Sequence, residues 1–339
     1  MINLEEIKLL NEDVYGASRK LDLFFINFEK VSIHPDSRAG IISFLKDFLA
    51  KGRTRIRTVK YAFCLKKLAL LVPDKNIGGF NKEEITDLVL KIRAEVPKKN
   101  SVRDLLITLK KYYKYLKGLD RDFPPEVAWI KVKDEPNILT VDDLITSGEF
   151  DKIIECSHKI QDQLLFKLLR ETGARISELL TLTIERTVWD SEYECYQLNV
   201  FGKTGFRVIP VIENAQLLKS YLEIHEFKDN PKCVLFHPPH KTKALTYSGM
   251  KRRLVEVLQK TGITKRIHPH LFRHTDITEK CAELSEQTLK QLYGWRRDSK
   301  MLSVYVHLNN GAVTRQLKQF YKNKEERQLA KLIKQQAIA

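Results

Sequence analysis

The sequence predicts a mainly α-helical protein that carries a small antiparallel β-sheet and is divided into two domains. Three observations predict this class. Apolar residues recur three and four positions apart through residues 1–118 and again after residue 139, as they do on the buried faces of helices. Alternation typical of strands is confined to residues 195–212. A proline-containing stretch of mixed charge, residues 119–138, separates the two helical regions and predicts a linker.

The overall composition favours a polyanionic partner. The chain of 339 residues is long enough for two domains with their own cores. Its formal net charge is +16 and its pI is about 9.5, with basic residues spread along the whole length. Lys and Arg gain affinity for phosphates by displacing the counterions around them. The alternative interpretation is a lysine-rich surface that only keeps the protein soluble.

The cysteine pattern and the chain's hydropathy indicate a cytoplasmic protein. The five cysteines are scattered, odd in number and without CxxC spacing, so neither disulfides nor zinc is expected. Asp, Glu and His nowhere show metal-ligand spacing, and no nucleotide-binding glycine motif occurs. The first ten residues predict an amphipathic helix, not a signal peptide. No apolar run is long enough to cross a bilayer, so we expect no membrane partner. Because metal-ligand spacing and nucleotide-binding motifs are missing from the sequence, we also expect no metal or other cofactor.

The predicted N-terminal domain, residues 1–118, contains two basic helix starts. They lie in the segments 51–60 and 98–116, where Thr, Ser and Asn accompany the charges and Ser101 is a candidate helix cap. Such starts suit a clamp that grips phosphates, and the alternative is a helical bundle with solvated lysines. The candidate phosphate contacts of this domain are Arg53, Arg55, Arg57, Lys60, Lys98 and Lys99.

The second domain is predicted to begin after the linker. Pro124 and Pro125 predict an extended segment without helix. A helix over 159–170 should end at Gly173, and the next helix should present Arg175 and Glu178, three positions apart, on one face.

Residues 195–212 predict a β-hairpin. Gly202 and Gly205 bracket a tight turn that places Lys203 at its tip. On its own, a hairpin lysine is a weak signal. The basic residues in and after the hairpin are candidate phosphate contacts, although each taken alone is better explained as a solvated charge: Arg207, Lys241, Lys243, Arg252 and Arg253.

The most informative stretch is 268–307. Pro269 suits the first turn of a helix, and His270 and Arg273 then share one face. A further helix should run from Leu284 to Tyr293 and stop at Gly294. Trp295 follows, and a tyrosine that looks exposed, Tyr305, comes ten positions later.

The ordered set of Arg, Lys, His-x-x-Arg, Trp and Tyr resembles the signature of the tyrosine recombinases, the lambda-integrase and Xer family. The phrases LYGW, DSKM and VYVHL resemble its archaeal branch. The resemblance implies a helical core-binding (SAM-like) domain in 1–118 and an α+β catalytic domain in 139–322. It also implies that the tail, 323–339, contacts either a neighbouring protomer of a DNA-bound tetramer or its own catalytic domain.

The resemblance also implies a role for each site residue. Arg175 and Arg273 would hold the scissile phosphate, because guanidinium is permanently charged and binds phosphate through two N–H groups. Trp295, where many relatives have His, has an N–H that donates but no acceptor, so it would hold phosphate without moving protons. Lys203 would protonate the departing 5′-oxygen, and His270 would act as a base or a donor. Tyr305 would attack phosphorus.

Two residues are assigned supporting roles. Glu178 would orient its neighbours, and His274 would steady Arg273 or serve packing. Tyr293 and Tyr321 remain alternative nucleophiles.

The expected partner is double-stranded DNA carrying specific sites, bound by a homo-oligomer in the nucleoid. The resemblance leaves integration or excision of a mobile element and resolution of chromosome dimers open. Rival interpretations are a type IB topoisomerase, which uses similar chemistry but rejoins the same strand, and a DNA-binding protein on a recombinase scaffold that no longer cleaves.

Overall fold

The computed structural model describes residues 4–132, 139–202 and 205–306. The chain divides into two compact units, one of Tyr15–Asn137 and the other of Ile138–Ala339 together with Met1–Val14. Helix α1 (Leu4–Tyr15) opens the chain. Several predictions lie outside the described residues: Lys203 at the hairpin tip, the tyrosine at 321, the end of the linker and the tail 323–339.

The unit Tyr15–Asn137 is helical throughout its described part. Its fully buried side chains, among them Ile41, Leu65 and Tyr112, form one core that the helices share. The helices are α2 (Ala17–Phe28), α3 (Pro35–Ala50), α4 (Arg55–Leu71), α5 (Lys82–Glu95), α6 (Lys99–Leu116) and α7 (Pro125–Ala128).

Local sequence explains most of the helix ends in this unit. The Thr54 side chain accepts from the Arg57 N–H and so starts α4, whose first turn carries the basic segment. Asn81 and Glu84 form a reciprocal capping box at the start of α5. The prediction that Ser101 caps a helix was wrong, because α6 begins at Lys99 and Ser101 already lies in its first turn.

The linker contains a short helix that the sequence was expected to exclude. Pro125 occupies the first position of α7, where its missing N–H removes no hydrogen bond. Only the extended conformation of Pro124, with φ −64° and ψ 153°, follows the prediction. Val127 and Ile130 are buried in the core of this unit, and their burial stabilises the turn.

The other unit combines helices with a three-stranded sheet. Its helices are α8 (Ser147–Glu155), α9 (Ile160–Thr172), α10 (Ile176–Leu180), α11 (Ala215–Glu223), α12 (Tyr247–Thr261), α13 (Pro269–Lys280), α14 (Glu286–Tyr293) and α15 (Ser303–Val306). Its strands, antiparallel in the order β1-β2-β3, are β1 (Thr187–Asp190), β2 (Cys195–Gly202) and β3 (Gly205–Val211). The predicted fold class, mainly α with a small antiparallel sheet, is confirmed.

The sheet contains the predicted hairpin and one strand that was not predicted. Gly202 pairs with Gly205 at the hairpin end, and the inward side chains of β2 and β3, such as Leu198 and Ile209, are fully buried. Strand β1 is four residues long, too short for an alternating pattern to stand out. None of the described helices is both long and apolar enough to span a membrane.

Candidate active site

The site is assembled from four places in the chain: the start of α10, strand β3, the buried face of α13, and the segment after α14. Three of these places are set by a local signal at a helix end. Gly173 ends α9 in the left-handed conformation with φ 54°, and Arg175 is the N-cap of α10. Pro269 opens α13, and Gly294 ends α14 with φ 60°, which brings Trp295 back over the helix end. All of these helix ends were predicted from the sequence.

Gly173 allows α9 to lie directly against α13 and α14. A Cβ at this position would lie 2.5 Å from an Asp276 oxygen and 2.6 Å from Cε1 of Tyr293. Both separations are well below van der Waals contact, and the positive φ itself disfavours any residue with a Cβ. Glycine is therefore required here for packing as well as for backbone conformation.

We expect Gly173→Ala to lower the free energy of unfolding by about 3 kcal/mol, from backbone strain of about 1–2 kcal/mol and overpacking of about 1–3 kcal/mol. Urea denaturation measures this loss. Gly262→Ala is the matched control, because Gly262 ends α12 with φ 70° and a Cβ added to it would have nothing within 4 Å. It should cost only the strain of about 1–2 kcal/mol. Equal losses in the two variants would contradict the packing role.

Two guanidinium groups share one buried carboxylate. Arg175 Nη1 lies 2.9 Å from Glu178 Oε1, and the two terminal nitrogens of Arg207 each lie 2.7 Å from a Glu178 oxygen. The Glu178 side chain is 1 % exposed. Burial alone would raise the pKa of Glu178, but the hydrogen bonds and charge of Arg207 and then the charge of Arg175 hold it below its usual range. Glu178 is thus ionised and orients both arginines.

Arg273 adds a third positive charge. Its guanidinium donates to the backbone oxygens of Gly173 at 2.6 Å and Tyr293 at 2.8 Å, and lies over the Tyr293 ring. Burial and the nearby charge of Arg175 lower its pKa to about 10, which leaves it charged at neutral pH. Two guanidinium groups therefore bind the Glu178 carboxylate, and that of Arg273 lies within electrostatic range of all three groups. The excess positive charge suits an anionic ligand.

Tyr305 is buried, although the sequence pattern suggested an exposed side chain. It is 2 % exposed and belongs to an apolar cluster with Ile277, Leu289 and Tyr293. Its ring stacks on Trp295, with centroids 6.1 Å apart and planes 15° apart. The expectation of exposure was wrong because α15 packs against α13, a tertiary contact that the local sequence does not encode. Burial outweighs the charge of Arg273 and raises the pKa of Tyr305 to about 12.

The imidazole hydrogen-bonded to Tyr305 belongs to His274. Its Nδ1 lies 2.8 Å from the Tyr305 hydroxyl, a hydrogen bond that neither of its two expected roles, steadying Arg273 or packing, includes. His270 lies one helical turn earlier, and the two imidazole centroids are 4.8 Å apart. Desolvation and the charge of Arg273 lower the pKa of His270, so this ring is neutral at physiological pH.

Sequence reasoning missed the buried pair Asp276 and Tyr293. The Tyr293 hydroxyl donates to Asp276 at 2.7 Å, and Lys280 lies 2.7 Å from the other Asp276 oxygen. Burial raises the pKa of Asp276 to about 6. Burial and then the charge of Asp276 raise the pKa of Tyr293, so its hydroxyl is held in the protonated form. The spacing of Asp276 and Lys280, four apart on a helix, was the available signal.

The predicted phosphate contacts fall into two groups. Two of them make ion pairs inside the fold: Arg207 is buried against Glu178, and Arg253 lies 2.7 Å from Asp162. The remaining basic side chains lie on the surface of their units: Arg53, Arg55, Arg57, Lys60, Lys98, Lys99, Lys241, Lys243 and Arg252. Among them, Lys60 forms an ion pair with Asp104.

Comparison with known proteins gives the same assignment as the site. The sequence pattern of the phage integrase family matches residues 143–311. Tyrosine recombinase XerC of Staphylococcus aureus is 27% identical over 240 residues, which cover 68% of this chain and 76% of the relative. XerC of Chromobacterium violaceum is 25% identical over 244 residues, which cover 70% of this chain and 79% of the relative.

Solved structures share the fold. The XerH recombinase in its post-cleavage complex with a palindromic difH substrate has a TM-score of 0.62 and 16% identity, with 92% of this chain and 93% of that chain covered. A lambda integrase dimer bound to a COC′ core site has a TM-score of 0.64 and 18% identity, with 80% and 77% covered. The resemblance found in the sequence is confirmed: the chain belongs to the phage integrase family and is a site-specific tyrosine recombinase.

Proposed function

We propose that this recombinase cleaves and rejoins DNA through a covalent 3′-phosphotyrosyl intermediate on Tyr305, without metal or ATP. One observation carries the proposal. Within one compact unit, the buried phenol of Tyr305 stacks on Trp295 and lies near enough to Arg273 for that charge to oppose part of the rise in pKa that burial causes. The predicted phosphate ligands and the predicted nucleophile are therefore neighbours, although about 130 residues separate the first from the last.

The arginine cluster supports binding of the scissile phosphate. A phosphorane-like transition state concentrates negative charge on its non-bridging oxygens, and preorganised cations stabilise that charge. Arg273 is held by two backbone carbonyls, so it is fixed in place before DNA arrives. Arg175 is 27% exposed and is oriented by Glu178. Each guanidinium is therefore oriented by fixed acceptors, and its remaining N–H groups are the proposed donors to the phosphate oxygens.

Trp295 and Lys203 complete the proposed set. The indole of Trp295 has one N–H donor and no acceptor, so it can bind a phosphate oxygen while its ring positions Tyr305 by stacking. Lys203 would give its proton to the departing 5′-oxygen, because an ammonium held by phosphate can act as an acid. This assignment rests on the position of Lys203 between Gly202 and Gly205, which end the paired strands.

The proposed reaction is reversible. The Tyr305 oxygen attacks phosphorus, the bond to the 5′-oxygen breaks, and the bond energy remains in the adduct. A phenol with an ordinary pKa near 10 is both an attacking and a leaving group. The 5′-hydroxyl of a partner duplex then attacks the adduct and releases Tyr305, so strands are exchanged.

We further propose that the protein assembles as a tetramer on two DNA sites. The exposed basic residues at the start of α4 and α6 support a DNA clamp in residues 1–118, and they are separate from the catalytic unit in 139–322. Lambda integrase, whose fold is similar with a TM-score of 0.61, has been solved as a tetramer bound to a Holliday junction. The tail, 323–339, would contribute to contacts between protomers.

A suicide substrate tests the proposal. DNA fragments bound by the protein would first be selected, and a nick placed near the cleavage point so that the freed end diffuses away. We expect a denaturation-resistant protein–DNA adduct on the 3′-phosphate side, together with a free 5′-hydroxyl that a kinase can label. Adduct at the 5′ end, or cleavage that requires a divalent metal, would contradict the mechanism. Relaxation of any supercoiled plasmid, whatever its sequence, would favour a topoisomerase instead.

A further inference from the structure

We infer that His274 is a catalytic residue: its Nδ1 accepts the phenolic proton of Tyr305 while the phenol oxygen attacks phosphorus. The inference rests on the proposed function, because it concerns the same cleavage step. It assigns the nucleophile's hydrogen-bond partner to the residue that follows Arg273 on α13. The resemblance suggests His270 as either the base or a hydrogen-bond donor. With His274 as the base, His270 is left with the second role, as a donor to the phosphate.

Distance and orientation support this assignment. The 2.8 Å separation between Nδ1 of His274 and the hydroxyl of Tyr305 is that of a direct hydrogen bond. The two rings are 5.7 Å apart at their centroids and tilted by 35°. The ring of Trp295 stacks on the phenol ring, and its indole N–H can donate but not accept. Of these two neighbours only His274 offers an acceptor, so the hydroxyl donates its proton towards Nδ1.

The position of His274 on α13 fixes its ring. The neighbouring side chains Phe272, Arg273 and Thr275 are buried, which anchors this turn of the helix. The Thr278 hydroxyl donates to the His274 backbone oxygen at 2.9 Å. His270 lies one turn away with its ring edge-to-face against that of His274. Tyr305, His274 and His270 thus form a row in which His274 is the member next to the nucleophile.

The protonation state of His274 suits an acceptor. Burial, then the nearby rings of His270 and His268 and the charge of Arg273, lower its pKa to about 4. The ring is therefore neutral, and one nitrogen is free of a proton. A base this weak does not ionise the resting phenol, whose pKa is raised. Once the bond to phosphorus begins to form, the phenolic proton becomes strongly acidic, and transfer to imidazole becomes favourable.

The proton balance of the step is complete. The bond between the Tyr305 oxygen and phosphorus forms, the bond from phosphorus to the 5′-oxygen breaks, and the phenolic proton moves to His274. The departing 5′-oxygen takes its proton from a separate donor, for which Lys203 is the candidate. In the rejoining step, the imidazolium of His274 returns its proton to the phenolate oxygen as Tyr305 leaves.

A rescue experiment separates this role from a structural one. Tyr305 would be replaced by a fluorinated tyrosine, whose more acidic phenol needs less help from a base. The rate of adduct formation on the suicide substrate would be measured in the wild type, in His274→Asn and in His270→Asn. His274→Phe keeps a ring in the same place without an acceptor and controls for packing. DNA affinity and thermal unfolding would be measured for each variant.

We expect His274→Asn and His274→Phe to slow adduct formation by about 10²–10⁴-fold, the usual contribution of a positioned base. Fluorinated tyrosine should restore most of the rate in these variants and little in His270→Asn. Adduct formation at the wild-type rate in both His274 variants would overturn the inference, as would a loss that fluorinated tyrosine does not relieve. If the wild type itself forms no adduct, the proposed function fails instead.

Discussion

Tyr305→Phe is expected to abolish the covalent protein–DNA adduct while DNA affinity changes by no more than a few-fold. The substitution removes one oxygen and keeps the ring, so stacking on Trp295 and packing against Ile277 and Leu289 are retained. The lost hydrogen bond to His274 costs stability on the order of 1 kcal/mol. DNA binding depends on many phosphate contacts outside this ring. Adduct is measured on denaturing gels and affinity by electrophoretic mobility.

Tyr293→Phe is the matched control for Tyr305→Phe. It also removes a buried hydroxyl, in this case the one that donates to Asp276 at 2.7 Å. We expect it to destabilise the fold by about 1–3 kcal/mol, because the acceptor is left buried without its donor. Adduct should still form in the folded fraction. Adduct from Tyr305→Phe in an amount equal to wild type would remove Tyr305 from the mechanism.

Arg273→Ala should reduce the rate of cleavage by about 10³-fold or more, as expected for loss of a preorganised donor at the transition state. The reduction should be far larger than any loss of DNA affinity. Arg273→Lys should also be severely impaired. A lysine has one nitrogen, which cannot replace the two terminal guanidinium nitrogens that bind Gly173 and Tyr293 oxygens and still reach phosphate. Single-turnover cleavage measured beside equilibrium binding separates the two effects.

Arg186→Ala controls for the stability cost of truncating a buried arginine. Arg186 is 8 % exposed, and its Nε donates to the Thr183 hydroxyl at 3.0 Å. It lies before β1, outside the arginine cluster that Glu178 organises. We expect Arg186→Ala to lower the unfolding temperature while the folded protein still cleaves DNA. A fall in DNA affinity that parallels the fall in cleavage of Arg273→Ala would make Arg273 a clamp residue instead.

Local chemistry explains which parts of the fold the sequence predicts well. The ends of α9, α13 and α14 depend on side chains and glycines within a few residues of each end. The hairpin of β2 and β3 depends on alternation and a short turn. The short strand β1 and the helical turn at Pro125 depend on neighbours distant in sequence, so their own residues gave little signal.

The same division holds within the site. Arg175, Glu178 and Arg273 were selected because the ordered motif resembles the tyrosine recombinase signature, and helical spacing explains only why Arg175 and Glu178 share one face. The burial of Tyr305 and its hydrogen bond to His274 follow from the packing of α15 on α13. This contact joins residues that are 31 positions apart in the sequence, so local patterns do not reveal it. Arg207 was selected as a phosphate contact, but its buried bonds to Glu178 make it a support for Arg175.

Identification of the residue bonded to DNA tests the central claim most directly. The adduct from the suicide substrate would be digested with protease and nuclease, and the modified peptide sequenced by mass spectrometry. A tyrosyl phosphate on Tyr305 alone is the predicted result. Modification of Tyr293, Tyr321 or a residue of another type would contradict the account, because the arginine cluster would then be presenting phosphate to a different nucleophile.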